Sequence, residues 1–135
     1  MEKALKHRFA NPLLQPPAWP MPRRVAIIGA GSIGPDIGYY LKSALPSLAL
    51  TLIDLQQSAL DAALARFRGY ADKAVARGKM KPADAQSVLA DVNASTDYDA
   101  IAGCDWVLEA ATENLALKRR IFADVEARVS PDAII

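Results

Sequence analysis

The sequence predicts an α/β fold: a doubly wound parallel sheet of about five strands, with a helical hairpin inserted after the second strand. Three observations predict it. Short apolar segments alternate along the chain with segments whose apolar residues recur every three or four positions, which is the pattern of strands separated by helices. The first of these strand-like segments is apolar throughout, as in strands buried on both faces of a parallel sheet. A glycine-rich turn follows it directly.

The first predicted segment, residues 1–22, is an extended proline-rich arm. Proline fixes φ and removes a backbone donor, so a segment rich in proline is unsuited to the hydrogen bonding of helices and sheets. Residues 23–135 are predicted to form one ordered domain. The prolines of the arm are Pro12, Pro16, Pro17, Pro20 and Pro22.

A strand, a helix and a second strand are predicted next. The first strand is wholly apolar, the helix keeps its apolar residues at helical spacing, and the second strand ends in isoleucine before an acid. We expect a serine to cap the helix and a proline to occupy its first turn. The first strand covers residues 25–28, and the second covers 48–53 and is followed by Asp54. Between them lies a helix with Ser32 as its candidate cap, Pro35 in its first turn and Pro46 just after its end.

The remaining chain predicts a helical hairpin and further strands. The first helix of the hairpin is long and amphipathic and ends at a glycine. The crossovers between the parallel strands are expected to be right-handed. The predicted elements are helices at 56–77 and 82–89, strands at 92–96 and 106–111, a helix from about Asn114, and a fifth strand that opens at 133–135.

Length and charge limit the classes of function. A chain of 135 residues is long enough for one substantial core and short for two ordinary domains. Its 16 basic and 15 acidic side chains leave a net charge of +1, without the strong field that favours nucleic acid as a partner. A single cysteine, no secretory signal, and no apolar run of the roughly 20 residues that span a bilayer predict a cytoplasmic protein without a membrane partner. No metal site is predicted.

The glycine-rich turn has the spacing of a dinucleotide-binding loop, which makes the predicted fold Rossmann-type. In such a loop the first glycine permits the tight bend, the second admits the pyrophosphate, and the third lets the helix lie close to the strand. The helix N-terminus then offers N–H groups and a favourable dipole to the phosphates. The loop is Gly29-Ala30-Gly31-Ser32-Ile33-Gly34.

An acid follows the loop at the spacing of the ribose-binding acid in dinucleotide-binding folds. Asp54 lies at the end of the second predicted strand, where its carboxylate can accept hydrogen bonds from both ribose hydroxyls. The residues after it include no arginine to accommodate a 2′-phosphate, so the sequence favours NAD over NADP. Two alternatives stay open on these residues alone: FAD uses the same fingerprint, and a glycine-rich turn between strand and helix is sometimes purely structural.

Further motifs resemble the N-terminal, NAD-binding domain of the 3-hydroxyacyl-CoA dehydrogenases of fatty-acid β-oxidation. The resemblance covers residues 24–135, and its most specific stretch is the Glu-Ala…Glu-Asn…Lys pattern that begins within the fourth predicted strand. The segments that carry it are residues 25–34, Arg77-Gly78-Lys79-Met80, Ser95-Thr96-Asp97-Tyr98, residues 105–118 and Ser130-Pro131-Asp132-Ala133-Ile134-Ile135.

The resemblance implies additional cofactor contacts at the end of the fourth strand. Ala110 and Ala111 would line the nucleotide with their backbone, and Glu113 and Lys118 would approach the ribose on the nicotinamide side. This strand ends beside the switch point of a doubly wound sheet, where ligands bind. The alternative is an acid that begins a helix and a solvated lysine.

The long helix offers a second predicted site. Arg66, Lys73 and Arg77 share one helical face, and Lys79 follows in the turn. By the resemblance, this hairpin would take the adenosine phosphates of coenzyme A, with Lys73 and Lys79 as the candidate contacts and acyl-CoA as the partner. The alternative interpretation is a solvated basic face.

No catalytic residue is predicted. Oxidation of a hydroxyl by hydride transfer also needs a positioned base, and the single histidine, His7, lies in the arm. Similar enzymes continue with a catalytic His–Glu pair and a helical C-terminal domain, so we expect an NAD-binding domain that is incomplete relative to the family and inactive without the missing half. It would act as a homo-oligomer or with a complementary subunit. The alternative is a non-catalytic nucleotide-binding or interaction module.

Overall fold

The computed structural model describes residues 20–135. Of the predicted proline-rich arm, residues 1–19 lie outside the described part of the chain, and so does His7. The elements are β1 (Arg24–Ile28), α1 (Gly34–Ala44), β2 (Ala49–Ile53), α2 (Gln57–Ala76), α3 (Pro82–Leu89), β3 (Val92–Ser95), a short 3-10 helix (Tyr98–Ile101), β4 (Trp106–Glu109) and α4 (Leu115–Glu126).

The four strands form one parallel sheet in the order β3-β2-β1-β4. Chain order therefore runs outward from β1 in both directions, and β1 pairs with β2 on one side and with β4 on the other. This arrangement confirms the predicted doubly wound α/β fold. It also creates a switch point between β1 and β4, beyond whose carboxyl ends ligands bind in folds of this kind.

Alternating residues of the strands supply two cores, one on each face of the sheet. In β1, Val25 and Ile27 pack with the faces of α1 and α2, around Phe67. Ala26 and Ile28 point to the opposite face, into a second core with the 3-10 helix and α4. Because both faces are covered at the centre of the sheet, β1 is buried and apolar from Val25 to Ile28, so its sequence does not alternate there.

The predicted fifth strand is present only as one parallel bridge. Ile134 pairs with Trp106 beside β4, and the N–H of Val107 donates to the carbonyl of Ile134 at 2.8 Å. Within residues 20–135 the sheet therefore has four strands rather than five. Two backbone hydrogen bonds still hold the residues around Ile134 in register with the edge of β4.

Two local predictions were wrong or incomplete. Ser32 does not cap α1: the capping residue is Ile33, and it makes no side-chain capping bond. The 3-10 helix was not predicted, because four residues are too few for a periodic pattern to show. Asp97 begins that helix by accepting the N–H of Asp99 at 2.8 Å. Among the described residues, no helix is both long and apolar enough to cross a membrane.

Candidate functional site

The glycine-rich turn fits tightly between β1, β4 and the start of α1. Gly29 has a φ of +107°, and a Cβ there would lie 2.7 Å from the carbonyl carbon of Ala110. A Cβ at Gly34 would collide with the carbonyl oxygen of Gly29. These two positions therefore accept only glycine, because the backbone conformation and the packing exclude a side chain.

Gly31 is different, because its surroundings are open. A Cβ added to it would meet no heavy atom of the described chain within 4 Å. The turn also leaves donors available: the N–H groups of Gly31, Ser32 and Ile33 donate to no acceptor among residues 20–135. Free N–H groups beside open space at the positive end of a helix are suited to bind the oxygens of a phosphate.

Asp54 stands at the end of β2, beside this turn. Its Oδ2 accepts the N–H of Ala30 and its Oδ1 that of Gln56, both at 2.9 Å. Each carboxylate oxygen has a second acceptor position, so the half-buried side chain retains capacity for two hydroxyls. The predicted acid thus lies next to the predicted loop, and it also fastens the loop to β2.

The residue after Asp54 is apolar and exposed. Leu55 has 80% of its surface accessible, and Gln56 and Gln57 follow it without a basic side chain. The flat face of a nucleobase is able to pack on Leu55. An additional phosphate near Asp54 would face a carboxylate that forms no ion pair with any of residues 20–135. The surroundings of Asp54 therefore fit an unphosphorylated ribose.

Glu109, at the carboxyl end of β4, belongs to the Glu-Ala…Glu-Asn…Lys pattern but is not among the predicted site residues. Its side chain is only 3% exposed and forms an ion pair with Lys118 of α4. Its Oε1 also accepts the N–H groups of Ala111 and Thr112, at 2.6 and 3.1 Å. The carboxylate thereby binds the two N–H groups that follow Ala110, and β4 ends at Glu109, two residues before the end of the predicted strand at 106–111.

The charge of Glu109 is stabilised by its neighbours. Burial acts to raise its pKa, but the hydrogen bonds from Lys118, Ala111 and Thr112 outweigh burial, and the pKa of Glu109 is lowered. The hydrogen bond to Glu109 likewise raises the pKa of Lys118. Both groups are therefore charged at neutral pH. A buried carboxylate in an apolar strand was the signal that could have indicated a cationic partner nearby.

The other predicted residues of this region lie just beyond β4 or on α4. Ala110 is half-buried, and its N–H donates to the carbonyl of Ile28 at 2.8 Å, next to the glycine-rich turn. Ala111 and Glu113 are exposed beyond it. Lys118 is held by Glu109 rather than projecting freely. The carboxyl ends of β2, β1 and β4 thus lie side by side, and the predicted residues follow these strands in the chain.

The basic side chains predicted to share one face of α2 have two different sets of neighbours. Arg66 turns towards the glycine-rich turn, and its guanidinium donates to the carbonyls of Gly31 and Ser32. The others line a separate cavity of about 490 Å³ between α1, α2 and the turn that follows α2. The side chains around that cavity are Asp36, Tyr39, Tyr70, Lys73, Ala74, Arg77 and Lys79.

This cavity combines aromatic rings with cations. The rings of Tyr39 and Tyr70 meet edge-on, with their centroids 5.1 Å apart. Lys73 and Lys79, the two predicted contacts, both lie on its wall together with Arg77. Rings beside three cations suit a ligand that carries both an aromatic group and phosphates.

Comparison with known proteins shows which family and which relatives the chain resembles. Residues 24–135 match the family described as 3-hydroxyacyl-CoA dehydrogenase, NAD binding domain. The fatty acid oxidation complex subunit alpha of Colwellia psychrerythraea is 34% identical over 112 residues. That match covers 83% of this chain but 15% of the relative, so the chain spans a small part of the length of that protein.

Two solved structures show the same likeness. The (S)-3-hydroxybutyryl-CoA dehydrogenase of Ralstonia eutropha has a TM-score of 0.78 and 32% identity, over 85% of this chain and 40% of its own. The 3-hydroxybutyryl-CoA dehydrogenase of Escherichia coli has a TM-score of 0.80 and 29% identity, over 84% of this chain and 24% of its own. The resemblance seen in the sequence is confirmed by the fold.

Proposed function

Because the chain belongs to the 3-hydroxyacyl-CoA dehydrogenase family, matching its NAD-binding domain over residues 24–135, we propose that it binds NAD in the crevice at the carboxyl ends of β1, β2 and β4. We further propose that it serves hydride transfer between NAD and a 3-hydroxyacyl-CoA thioester. Residues 23–135 would form the NAD-binding domain. The solved relatives, named as 3-hydroxybutyryl-CoA dehydrogenases, support that class of substrate.

One observation carries the proposal: unoccupied backbone donors face open space next to a carboxylate. The N–H groups of Gly31, Ser32 and Ile33 would hold the pyrophosphate. Asp54 would accept hydrogen bonds from the adenosine ribose through the acceptor positions that Ala30 and Gln56 leave unused. NAD fits this site better than NADP, since none of residues 20–135 forms an ion pair with Asp54.

The opposite end of the dinucleotide would lie along the segment after β4. When bound, NAD supplies the hydride acceptor. The chain's own part is to orient it: Ala110 and Ala111 present backbone, while Glu113 and Lys118 lie on the side of the nicotinamide ribose. Glu109 fixes the ammonium of Lys118 and the turn at Ala111, so that these groups are preorganised before the cofactor arrives.

The cavity beside α2 is the proposed site for the adenosine phosphates of coenzyme A. Lys73 and Lys79 would neutralise the phosphates, and Tyr39 and Tyr70 would offer ring surface to the adenine. The cavity's cations outnumber the one acid on its wall, Asp36, whose carboxylate is already paired with Arg66. This favours an anionic ligand.

No residue of this chain is proposed to be catalytic. Removal of the hydroxyl proton needs a base, and the single histidine, His7, lies outside the described residues. We propose that turnover requires groups supplied by another segment or subunit, and that the chain acts as a homo-oligomer or with such a subunit. A cytoplasmic location stays a prediction.

Titration separates these proposals. We expect saturable quenching or enhancement of NADH fluorescence by the chain, with NADPH binding at least tenfold more weakly. Calorimetry with acetoacetyl-CoA then tests the second site, and Lys73→Ala and Lys79→Ala should weaken that binding without changing the dissociation constant of NADH. Absence of NADH binding would contradict the proposal and favour a non-catalytic interaction module.

A further inference from the structure

Arg66 reaches the glycine-rich turn from the middle of α2, 35 positions further along the chain. Its Nη1 donates to the carbonyl of Gly31 at 2.8 Å, and its Nη2 to the carbonyl of Ser32 at 2.9 Å. Two consecutive carbonyls are thus held by one planar, rigid guanidinium. Arginine makes such paired contacts because its donors have fixed relative directions.

The planarity of the peptide bond gives these contacts a consequence for the N–H groups. In a trans peptide the C=O of one residue and the N–H of the next point in opposite directions within one plane. Fixing the carbonyls of Gly31 and Ser32 therefore also fixes the N–H groups of Ser32 and Ile33, directed away from Arg66. These are N–H groups that have no acceptor within the described part of the chain.

Arg66 is itself held in place. It forms an ion pair with Asp36 at 2.5 Å, and the hydroxyl of Tyr70 donates to the same carboxylate oxygen at 2.7 Å. The Nη2 of Arg66 also donates to the hydroxyl of Tyr70 at 3.4 Å. This hydrogen bond, and after it the charge of Asp36, raises the pKa of Arg66. The guanidinium thus stays charged, and its position is determined by side chains of both α1 and α2.

We propose that Arg66 is a positioning residue for the cofactor: it orients the N–H groups of Ser32 and Ile33 towards the pyrophosphate without touching the dinucleotide. The inference rests on the NAD binding proposed above and adds a residue outside the G-x-G-x-x-G motif. The physical effect is preorganisation. A turn held from behind loses less freedom when the ligand binds, so binding is tighter.

A purely structural role would have a different signature. If Arg66 only joined α2 to α1 through Asp36, then breaking the ion pair would have the same effect as removing the guanidinium. Asp36→Asn weakens the ion pair but leaves both contacts to the carbonyls of the turn. Because Asp36 helps to hold Arg66, we expect Asp36→Asn to lower the melting temperature and to raise the dissociation constant of NADH, but by less than Arg66→Met does.

The decisive comparison is Arg66→Met against Arg68→Met, measured by NADH titration and by thermal unfolding without ligand. Arg68 lies on the same helix, is exposed, and forms no ion pair with any of residues 20–135, so it is a control matched in charge and length. Arg66→Met leaves the turn to be ordered by the ligand, and the cost of fixing the backbone of about one residue corresponds to a dissociation constant for NADH roughly 5- to 30-fold higher. Arg68→Met should leave it unchanged.

If Arg66→Met does not fold, NADH titration of Arg66→Lys tests the same inference. A lysine ammonium is a point charge and lacks the planar fork, so we expect an intermediate dissociation constant at nearly the wild-type melting temperature. Wild-type affinity in Arg66→Lys and Arg66→Met would overturn this inference alone. Failure of the unmodified chain to bind NADH would overturn it together with the proposed function.

Discussion

A single methyl group at Gly31 is predicted to separate ligand binding from folding. Gly31 is not among the residues with positive φ, and a Cβ there meets nothing within 4 Å. Gly31→Ala should therefore fold normally, with a stability equal to the wild type or higher by about 0.4–1 kcal/mol, because alanine restricts the unfolded chain. The methyl group would, however, occupy the space proposed for the pyrophosphate.

The size of the effect follows from overpacking. Placing an extra methyl group in a closely packed contact costs about 1–3 kcal/mol, which corresponds to a dissociation constant for NADH about 5- to 150-fold higher. Fluorescence titration with NADH measures this, and urea unfolding measures the stability. Circular dichroism confirms that the variant retains its helices.

Gly69→Ala is the matched control. Gly69 lies inside α2, and an added Cβ there also meets nothing within 4 Å. Alanine in a helix interior stabilises by roughly 0.5–1 kcal/mol relative to glycine, so this variant should be slightly more stable and bind NADH as the wild type does. If Gly31→Ala folds and binds NADH with the wild-type dissociation constant, the pyrophosphate does not lie at Gly31.

Three further predictions concern the same crevice. Gly34→Ala should abolish cooperative folding or lower the melting temperature sharply, since its Cβ would collide with the carbonyl oxygen of Gly29; a wild-type unfolding curve would contradict this packing. Glu109→Gln should destabilise the chain by about 1–3 kcal/mol at pH 7 in urea unfolding, because a buried carboxylate with a cationic partner is lost. The pKa of Glu109 is lowered in the folded chain. Its contribution to the free energy of unfolding is therefore fully present above the ordinary pKa of 4.5 and is lost as the pH falls through the lower pKa of the folded chain. Glu109→Gln lacks this titration, so it should lose less stability between pH 7 and pH 4 than the wild type.

The part of the site that the sequence could predict is local in the chain. The glycine-rich turn, the strand before it and the acid at the end of the second strand lie within one βαβ unit, whose motif has fixed spacing. Gly29, Gly34 and Asp54 accordingly lie where the sequence placed them. The hairpin after β2 was predicted from equally local signals, since its long helix has a clear amphipathic period and its short helix begins at Pro82.

The contacts that the sequence could not predict join distant elements. Arg66 was assigned to a basic face together with Lys73 and Arg77, because helical periodicity gives the direction of a side chain but not what faces it. Which neighbour Arg66 contacts depends on how closely α2 packs beside the turn. The prediction that Ser32 caps α1 was wrong. Loops of the anion-binding type leave the first N–H groups of the helix free for the ligand, so they need no capping side chain.

The two acids of the crevice show why Gly31 is a better test of binding than either of them. Asp54 and Glu109 end the strands on either side of β1, and each accepts backbone N–H groups that shape the adjoining loop. Replacing Asp54 would release Ala30 and disturb the glycine-rich turn, and replacing Glu109 would release both Ala111 and the ammonium of Lys118. Loss of NADH binding in such variants would be expected whether or not the acid touches the cofactor. A methyl group at Gly31 changes no hydrogen bond, so its effect on binding reports on the occupied space alone.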